Sequence, residues 1–225
     1  MEALKNTLLA SGIKYIAVEG NIGAGKTTLT RLISETTEAR LFLEEVDDNP
    51  FIEKFYENMQ GYSFQAQIFF LLNRYRQQLT IAQQDLFNDL IVADYLFAKD
   101  SIYAHAVLGD EELLLYNRLH ELLEAKIIHP DLVIYLQANP EVLLHRISRR
   151  GRSFERAITE EYLCTLNEAF NHFFFHYNDS PLLIVNTDRL DFAVHREHFE
   201  DLLSRITEKF EGTRYYVPSL EIEPS

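Results

Sequence analysis

The sequence predicts an alternating α/β fold, built on a five-stranded parallel sheet that is flanked by helices. Five short apolar runs recur along the chain with helical segments between them, a pattern that is typical of buried parallel strands. The runs are residues 15–18, 41–43, 90–93, 132–136 and 182–185. A glycine-rich stretch directly after the first run supports the same assignment, because it reads as a turn from a strand into a helix.

Two helical segments and the chain ends complete the predicted organisation. Residues 68–79 repeat apolar side chains at intervals of three and four, which predicts one apolar helix stripe, and residues 111–126 form another strongly helical segment. The segment after Gly212 has little apolar content and predicts a poorly ordered tail or an appendage. We expect one domain over residues 1–225, with a core at 13–211 and extensions at 1–12 and 212–225.

Charge and composition exclude several classes of function. The chain has 225 residues, with 21 basic and 35 acidic side chains, and its net charge of −14 disfavours proteins that coat nucleic acid or anionic membranes. No apolar stretch approaches the roughly twenty residues that span a bilayer. The only cysteine, Cys164, excludes an internal disulfide and fits a reducing compartment. We expect a cytoplasmic protein that acts on small molecules, with no nucleic acid or membrane partner.

The stretch GNIGAGKTT, residues 20–28, has the spacing of a phosphate-binding loop. Its glycines let successive backbone amides face a polyphosphate, and the helix that follows adds the positive end of its dipole. Lys26 is expected to reach the β- and γ-phosphates of ATP or GTP, and the Thr27 hydroxyl to hold Mg²⁺. The residues expected to bind the nucleotide are Gly20, Asn21, Ile22, Gly23, Ala24, Gly25, Lys26, Thr27 and Thr28.

Acidic residues follow the second and third predicted strands. Ligands collect at the carboxyl ends of strands in open α/β sheets, so these side chains should lie near the phosphate loop. Glu44 or Glu45 can then act as a base for an alcohol acceptor, which must lose a proton, whereas a phosphate acceptor is already ionised. Asp94 ends a strand of Walker B type and is expected to support Mg²⁺. Solvated glutamates and a strand-end cap are the alternative interpretations.

An arginine cluster stands out against the acidic background of the chain. Its members, within eleven residues, are Arg146, Arg149, Arg150, Arg152 and Arg156. Such a cluster can form a movable lid that neutralises the charge of a transferring phosphoryl group. It can equally be a solvated helix end, so the residues by themselves leave both interpretations open.

A polar pair lies on the helix predicted before the third strand. Gln67 and Arg74 are seven positions apart, which returns nearly to the same helix face, about 10 Å along the axis. A glutamine amide both donates and accepts, and can therefore pair with the edge of a nucleobase. The alternative is that both side chains are exposed polar residues on a mostly apolar helix.

Taken in order, these motifs resemble the deoxyribonucleoside kinase family, which includes deoxycytidine, deoxyguanosine and deoxyadenosine kinases. The resemblance covers most of residues 15–192. The matching positions are the glycine loop, the E-x-V at Glu44, Tyr56 ahead of a Y-S-F-x-x-Q segment, Arg74, Asp94, Asp100, the R-x-x-x-R-G-R-x-x-E lid and Tyr162. The resemblance implies a P-loop kinase three-layer fold with an Arg-rich lid. It also implies that the γ-phosphoryl group of Mg·ATP is transferred to the 5′-OH of a deoxyribonucleoside.

The resemblance implies roles for individual residues and an oligomeric state. The family's general base precedes x-V, which selects Glu44 over Glu45. The implied catalytic residues are Glu44, Lys26, Arg150 and Arg152. The implied contacts are Gln67 with the nucleobase, Tyr56 and Glu155 with the sugar 3′-OH, Arg146, Arg150 and Arg152 with the donor phosphates, and Asp191 and Phe192 with the donor adenine. A homodimer through the helices before and after the third strand is implied as well.

One position departs from the family pattern. Many relatives carry an acidic-Arg-Ser triplet after the third strand, whereas this chain reads Asp94-Tyr95-Leu96. The arginine that would lie near the acceptor 5′-oxygen is therefore missing. Lys99, Arg74 and a lid arginine are the candidates to replace it.

The resemblance also indicates which acceptor the enzyme prefers. Arg74 and Asp100 match a pair near the base in members that accept purine nucleosides or deoxycytidine. We therefore expect deoxyadenosine or deoxyguanosine, with deoxycytidine as an alternative. Two rival functions use a similar scaffold: a thymidylate-kinase-like nucleoside monophosphate kinase, which Glu44 and Gln67 argue against, and a nucleotide-dependent switch protein, for which the sequence lacks a water-positioning motif.

Overall fold

A six-stranded parallel sheet forms the centre of the computed structural model, which describes residues 2–84 and 90–218. The strands follow the order β2-β3-β1-β4-β5-β6 across the sheet. They are β1 (Tyr15–Gly20), β2 (Arg40–Phe42), β3 (Ile91–Ala93), β4 (Leu132–Gln137), β5 (Leu182–Asn186) and β6 (Thr213–Tyr216). The α/β fold class with a parallel sheet is thereby confirmed.

Helices flank the sheet and connect its strands. They are α1 (Glu2–Ala10), α2 (Lys26–Thr37), α3 (Ile52–Glu57), α4 (Met59–Gln84), α5 (Lys99–Val107), α6 (Asp110–Glu124), α7 (Pro140–Arg150), α8 (Glu160–His176) and α9 (Arg196–Thr207). Short 3₁₀ turns lie at Val46–Asp48 and Ser153–Ala157. The two helical segments predicted from the sequence correspond to α4 and α6. No helix among the described residues is long and apolar enough to cross a membrane.

The expectation of five strands is wrong, because β6 pairs in parallel with β5. This strand belongs to the segment that we expected to be an extension. Of its four residues only Tyr216 is buried, and its hydroxyl hydrogen-bonds to Asp201 on α9. A strand at the sheet edge needs only one buried side chain to anchor it, so its sequence lacks the apolar run that marks the inner strands.

The sheet core explains the apolar runs and also contains one exception. Every residue of β1 is buried, as are all but the last residues of β4 and β5, because neighbouring strands and helices surround them. The exception is Glu19, a fully buried carboxylate in β1. It accepts hydrogen bonds from the backbone amides of Gly20 at 2.8 Å and Leu96 at 2.9 Å. Glu19 therefore joins the end of β1 to the segment that follows β3.

The parallel register brings three functional segments to one edge of the sheet. Ala93 at the end of β3 pairs with Ala17 of β1 on one side and with Phe42 of β2 on the other. The residues that follow these strands are the glycine loop, Glu44 and Asp94. The sheet topology thus puts the predicted phosphate loop and both predicted carboxylates side by side.

The anchoring of β6 can be tested by mutation. Tyr216→Ala should lower the free energy of unfolding by roughly 2–4 kcal/mol, because it removes a buried ring and its hydrogen bond. Val217→Ala is the matched control, since Val217 is 70% exposed and should change stability by less than about 0.5 kcal/mol. Urea unfolding followed by circular dichroism measures both. If Tyr216→Ala changed the free energy of unfolding as little as Val217→Ala does, β6 would contribute little to the stability of the fold.

Candidate active site

The glycine loop connects β1 to α2 in a conformation that needs glycine. Gly23 and Gly25 have φ angles of 83° and 101°, in the left-handed region that other residues rarely adopt. A Cβ atom at Gly23 would lie 2.8 Å from the carbonyl oxygen of Leu143 on α7, so the loop also packs closely there. Helix α2 begins immediately after the loop, at Lys26. The geometry fits a phosphate group at the amino end of this helix.

Lys26 points its ammonium group into the loop. Its Nζ donates to the carbonyl oxygens of Gly20 at 2.7 Å and Asn21 at 3.1 Å. Burial lowers the pKa of Lys26 to about 8, and the nearby charge of Lys99 contributes to the shift. Nearby carboxylates oppose this shift, and a polyphosphate bound in the loop would add further negative charge beside the ammonium group.

Asp94 lies between the glycine loop and Glu44. Its carboxylate accepts from the Thr27 hydroxyl at 2.6 Å and from the Glu44 backbone amide at 2.7 Å. Burial raises the pKa of Asp94; the hydrogen bond from Thr27 opposes this, and the charge of Glu44 adds to it. A buried carboxylate next to a hydroxyl, near a second carboxylate, is the kind of oxygen site that suits Mg²⁺. The residues present therefore fit the predicted metal.

Glu44 is held by two cations, one at each carboxylate oxygen. Arg74 pairs with Oε1, and the Nζ of Lys99 lies 2.9 Å from Oε2. Burial raises the pKa of Glu44, but Arg74 and Lys99 outweigh it and hold the pKa well below its ordinary value. The neighbouring Glu45 is exposed instead. Of the two glutamates, Glu44 thus has the less exposed carboxylate, and the only one of the two that Arg74 and Lys99 orient.

Arg74 continues the charge network away from the strand ends. It pairs with Asp100 through its second terminal nitrogen, and its Cζ lies 5.3 Å from the ring centre of Phe70. Asp100 is fully buried behind Arg74 and does not line the cavity described next, whereas Gln67, on the same helix as Arg74, does. The predicted helix face of Gln67 and Arg74 is therefore an inner face, and their alternative reading as exposed residues is wrong.

A cavity of about 610 Å³ opens in front of Glu44, which is a size typical of sites for small ligands. Tyr56 lines it and stacks on Phe154, with ring centres 6.0 Å apart and planes at 11°. Glu155 also lines it and is almost fully buried. Arg150 donates to both oxygens of Glu155, at 3.1 and 2.5 Å. Aromatic, amide and carboxylate groups thus share one wall with Glu44.

A second cavity of about 400 Å³ also borders the glycine loop. Its lining includes the loop from Gly23 to Thr28, together with Arg146, Asp191 and Phe192. Arg146 donates to the carbonyl oxygens of Thr187 at 2.6 Å and Leu190 at 2.8 Å, and is therefore anchored to the segment after β5. The two cavities share Gly23, Lys26, Thr27, Arg150 and Arg152. A group bound at Lys26 and Thr27 would face both cavities.

The lid arginines occupy the boundary between the cavities. Arg152 lies 3.7 Å from Glu155 and 3.6 Å from Asp47, which belongs to the turn after β2. Arg150 pairs with Glu155, and Arg149 pairs with Asp191 at 3.3 Å. The arginine cluster is therefore distributed over both cavities, and its reading as a mere solvated helix end does not describe Arg146, Arg150 and Arg152.

Two residues near Glu44 were not assigned a role from the sequence. The sequence does contain a signal that Glu19 is unusual, since it is the one acidic residue within the first apolar strand. Lys99 was only one of three candidates, because nothing local in the sequence tells where its side chain points. Tyr95, at the place of the missing arginine, is fully buried and does not line either cavity. Its hydroxyl has no hydrogen-bond partner among the described residues.

A parallel sheet with a glycine loop after its first strand, facing an arginine lid, defines a P-loop kinase. The chain matches the sequence model of the family described as deoxynucleoside kinase over residues 16–211. It therefore belongs to the deoxynucleoside kinase family. As a member it is an enzyme that transfers a phosphoryl group from a nucleotide donor to a deoxynucleoside.

Individual relatives agree with this family. The chain is 35% identical over 199 residues to a deoxyguanosine kinase of Bacillus subtilis (strain 168), covering 86% of this chain and 96% of the relative. It is 30% identical to a deoxyadenosine/deoxycytidine kinase of the same organism, and the match covers 85% of this chain and 90% of that relative. A solved structure of deoxyadenosine kinase from M. mycoides with bound dATP superposes with a TM-score of 0.75 at 27% identity, covering 86% of this chain and 100% of that one.

Proposed function

We propose that this kinase transfers the γ-phosphoryl group of Mg·ATP to the 5′-OH of a purine deoxyribonucleoside in nucleotide salvage, with deoxycytidine as the alternative acceptor. One observation carries the proposal: Glu44 faces one cavity, the glycine loop faces the other, and the two cavities meet at Lys26 and Thr27. We take the cavity at Glu44 as the acceptor site and the other as the donor site. The enzyme would work in the cytoplasm as one domain.

On the acceptor side, Glu44 would accept the proton of the 5′-OH. Its low pKa keeps it ionised at neutral pH, so it is ready to accept a hydrogen bond from the hydroxyl. Tyr56 and Glu155 would hold the sugar 3′-OH, and Gln67 the base. Arg74 and Asp100 would define the base end of the site, with Arg74 in the cavity wall and Asp100 orienting it from behind.

On the donor side, the glycine loop from Gly20 to Thr28 would bind the phosphates through its amides and through Lys26. Arg146, Arg150 and Arg152 would contact the phosphates from the lid, and Asp191 and Phe192 the adenine. Thr27 and Asp94 would hold Mg²⁺, which neutralises phosphate charge when it is bound. Positioning and charge neutralisation by these residues would supply most of the rate.

A nucleoside monophosphate kinase fits this site less well. Its acceptor phosphate would have to lie beside the Glu44 carboxylate, and the repulsion between the two negative charges disfavours that pose. A hydroxyl acceptor can instead donate a hydrogen bond to the same carboxylate. Glu44 therefore favours an alcohol acceptor.

Acceptor choice is the direct test of the proposed function. The purified enzyme is incubated with Mg·ATP and, separately, with deoxyadenosine, deoxyguanosine, deoxycytidine, thymidine and thymidine monophosphate, and the products are separated by chromatography. We expect monophosphates from the purine deoxynucleosides. Diphosphate made only from thymidine monophosphate, or ATP hydrolysis that needs no acceptor, would contradict the proposal and favour the nucleotide-kinase or the switch function.

The role of Glu44 predicts a specific kinetic defect. Glu44→Gln should lower kcat by about 10²–10⁴-fold while nucleoside binding stays within a few-fold, because the amide cannot accept the proton but keeps the side-chain shape. Glu45→Gln is the matched control, since the exposed neighbour should leave kcat unchanged. Steady-state kinetics and calorimetric binding measure both variants. A near-normal kcat in Glu44→Gln would remove Glu44 from the role of base.

We further propose a homodimer that buries the outer faces of α4 and α6. These two helices carry large apolar side chains that are exposed in the single chain: Leu72, Leu79, Leu114, Leu115, Leu119 and Leu122. Exposed apolar faces of this extent are typical of protein interfaces. The two helices also pack against each other.

The dimer predicts a charge-sensitive assembly. Leu122→Asp, at a side chain that is 69% exposed, should shift the protein from dimer to monomer, because a carboxylate would be buried in an apolar interface. Val217→Asp is the control, since Val217 is equally exposed on a different part of the surface. Sedimentation velocity measures the mass of each variant. A wild-type monomer at micromolar concentration would contradict the proposed dimer.

A further inference from the structure

Lys99 is a buried lysine in the wall of the acceptor cavity. It is the first residue of α5, and only 3% of its surface is exposed. Its Nζ lies 2.9 Å from Glu44, 3.9 Å from Glu19 and 5.5 Å from the ring centre of Tyr103. Lysine is almost never fully buried unless it is paired, so the position needs a physical reason.

The two cations on Glu44 are not equivalent. Arg74 is shared between Glu44 and Asp100, and it lies on the helix that carries Gln67, at the base end of the cavity. Lys99 contacts the other oxygen of Glu44 and lines the same cavity as Lys26 of the glycine loop. Lys26 and Lys99 therefore both border the cavity in front of Glu44.

The lid arginines that border the cavity in front of Glu44 are already paired with carboxylates. Arg150 is bound to Glu155, and Arg152 lies between Glu155 and Asp47. Tyr95 is buried outside both cavities and brings no charge to them. Among Lys99, Arg74 and the lid arginines, Lys99 is thus the cation that pairs with Glu44 and is engaged neither by Asp100 nor by the lid.

Glu19 explains how Lys99 stays in place without a ligand. Both of its oxygens are fixed by backbone amides, at 2.8 and 2.9 Å, so its position does not depend on substrate. An ammonium group has three N–H donors. One meets Glu44 and another can point towards Glu19, which leaves a third for a group that arrives between them.

We propose that Lys99 is the acceptor-side cation of the reaction: it holds Glu44 towards the 5′-OH and contacts the phosphoryl group as that group reaches the 5′-oxygen. In this step the bond from phosphorus to the β–γ bridging oxygen breaks, and the bond from phosphorus to the 5′-oxygen forms. The 5′-OH proton passes to Glu44, and Lys99 stays protonated throughout. The inference rests on the proposed function.

The first test is the loss of the charge. Lys99→Met should lower kcat by about 10²–10³-fold, the scale expected for one group that stabilises developing charge, with nucleoside affinity changed less than about threefold. Lys99→Arg should keep kcat within about tenfold of the wild type, because it retains the charge. Lys209→Met is the matched control, since it removes an exposed lysine that follows the end of α9 and lines neither cavity.

A second test, made in a variant that lacks the Glu44 carboxylate, separates contact of Lys99 with the phosphoryl group from positioning of Glu44. Single-turnover rates are measured for Glu44→Gln and for Glu44→Gln combined with Lys99→Met. The double variant also removes the two opposite charges together, which avoids a buried unpaired charge if Lys99→Met does not fold alone. We expect a further loss of about tenfold or more in the double variant. An unchanged rate would show that Lys99 acts only through Glu44 and would overturn the inference.

The activity of the wild-type enzyme shows whether a negative result refutes the role of Lys99 or the proposed function itself. If the wild type phosphorylates deoxynucleosides and Lys99→Met keeps kcat within about threefold, the role of Lys99 is refuted and the proposed function stands. If the wild type makes no monophosphate from any deoxynucleoside, the proposed function is refuted, and the inference about Lys99 falls with it.

Discussion

The negative charge of one largely buried carboxylate, that of Glu44, is the constraint on which the site depends. A buried charge is stable only when opposite charges and hydrogen bonds compensate it. Arg74 reaches Glu44 from α4 and Lys99 reaches it from α5, and these cations are in turn paired with Asp100 and approached by Glu19. This alternation of charges ties two helices to the ends of β1 and β2. Removing one member would leave a buried partner uncompensated.

The same network decides what kind of base Glu44 can be. With its pKa held well below the ordinary value, Glu44 is a weak base, but one that is ionised and fixed in direction. Phosphoryl transfer through a loose transition state develops little charge on the acceptor oxygen until late, so it depends more on positioning than on base strength. A carboxylate oriented by two cations is therefore better suited to this reaction than a free glutamate with a normal pKa.

The sequence predicts the parts of this protein whose signals are local. The apolar runs, the glycine loop and the strand-end acids Glu44 and Asp94 could be found because each depends on neighbouring residues. Strand β6 was missed because an edge strand buries only Tyr216. The place of Lys99 could not be predicted, since it depends on how α5 leaves the sheet and on Glu19, which is fixed by amides from two separate segments. Asp100 matches a substrate-site motif, yet its position behind Arg74 follows only from the packing of α4 against α5.

The two cavities are also linked through the lid. Arg150 lines both of them and donates to Glu155 through two nitrogens, while Glu155 lies in the wall of the acceptor cavity. A movement of Arg150 towards bound phosphates would lengthen these hydrogen bonds and free the Glu155 carboxylate for a different partner. In the proposed function a sugar hydroxyl in the cavity at Glu44 would be such a partner, since a carboxylate without its arginine needs another donor. Such a movement would couple the occupant of one cavity to the hydrogen bonds available in the other.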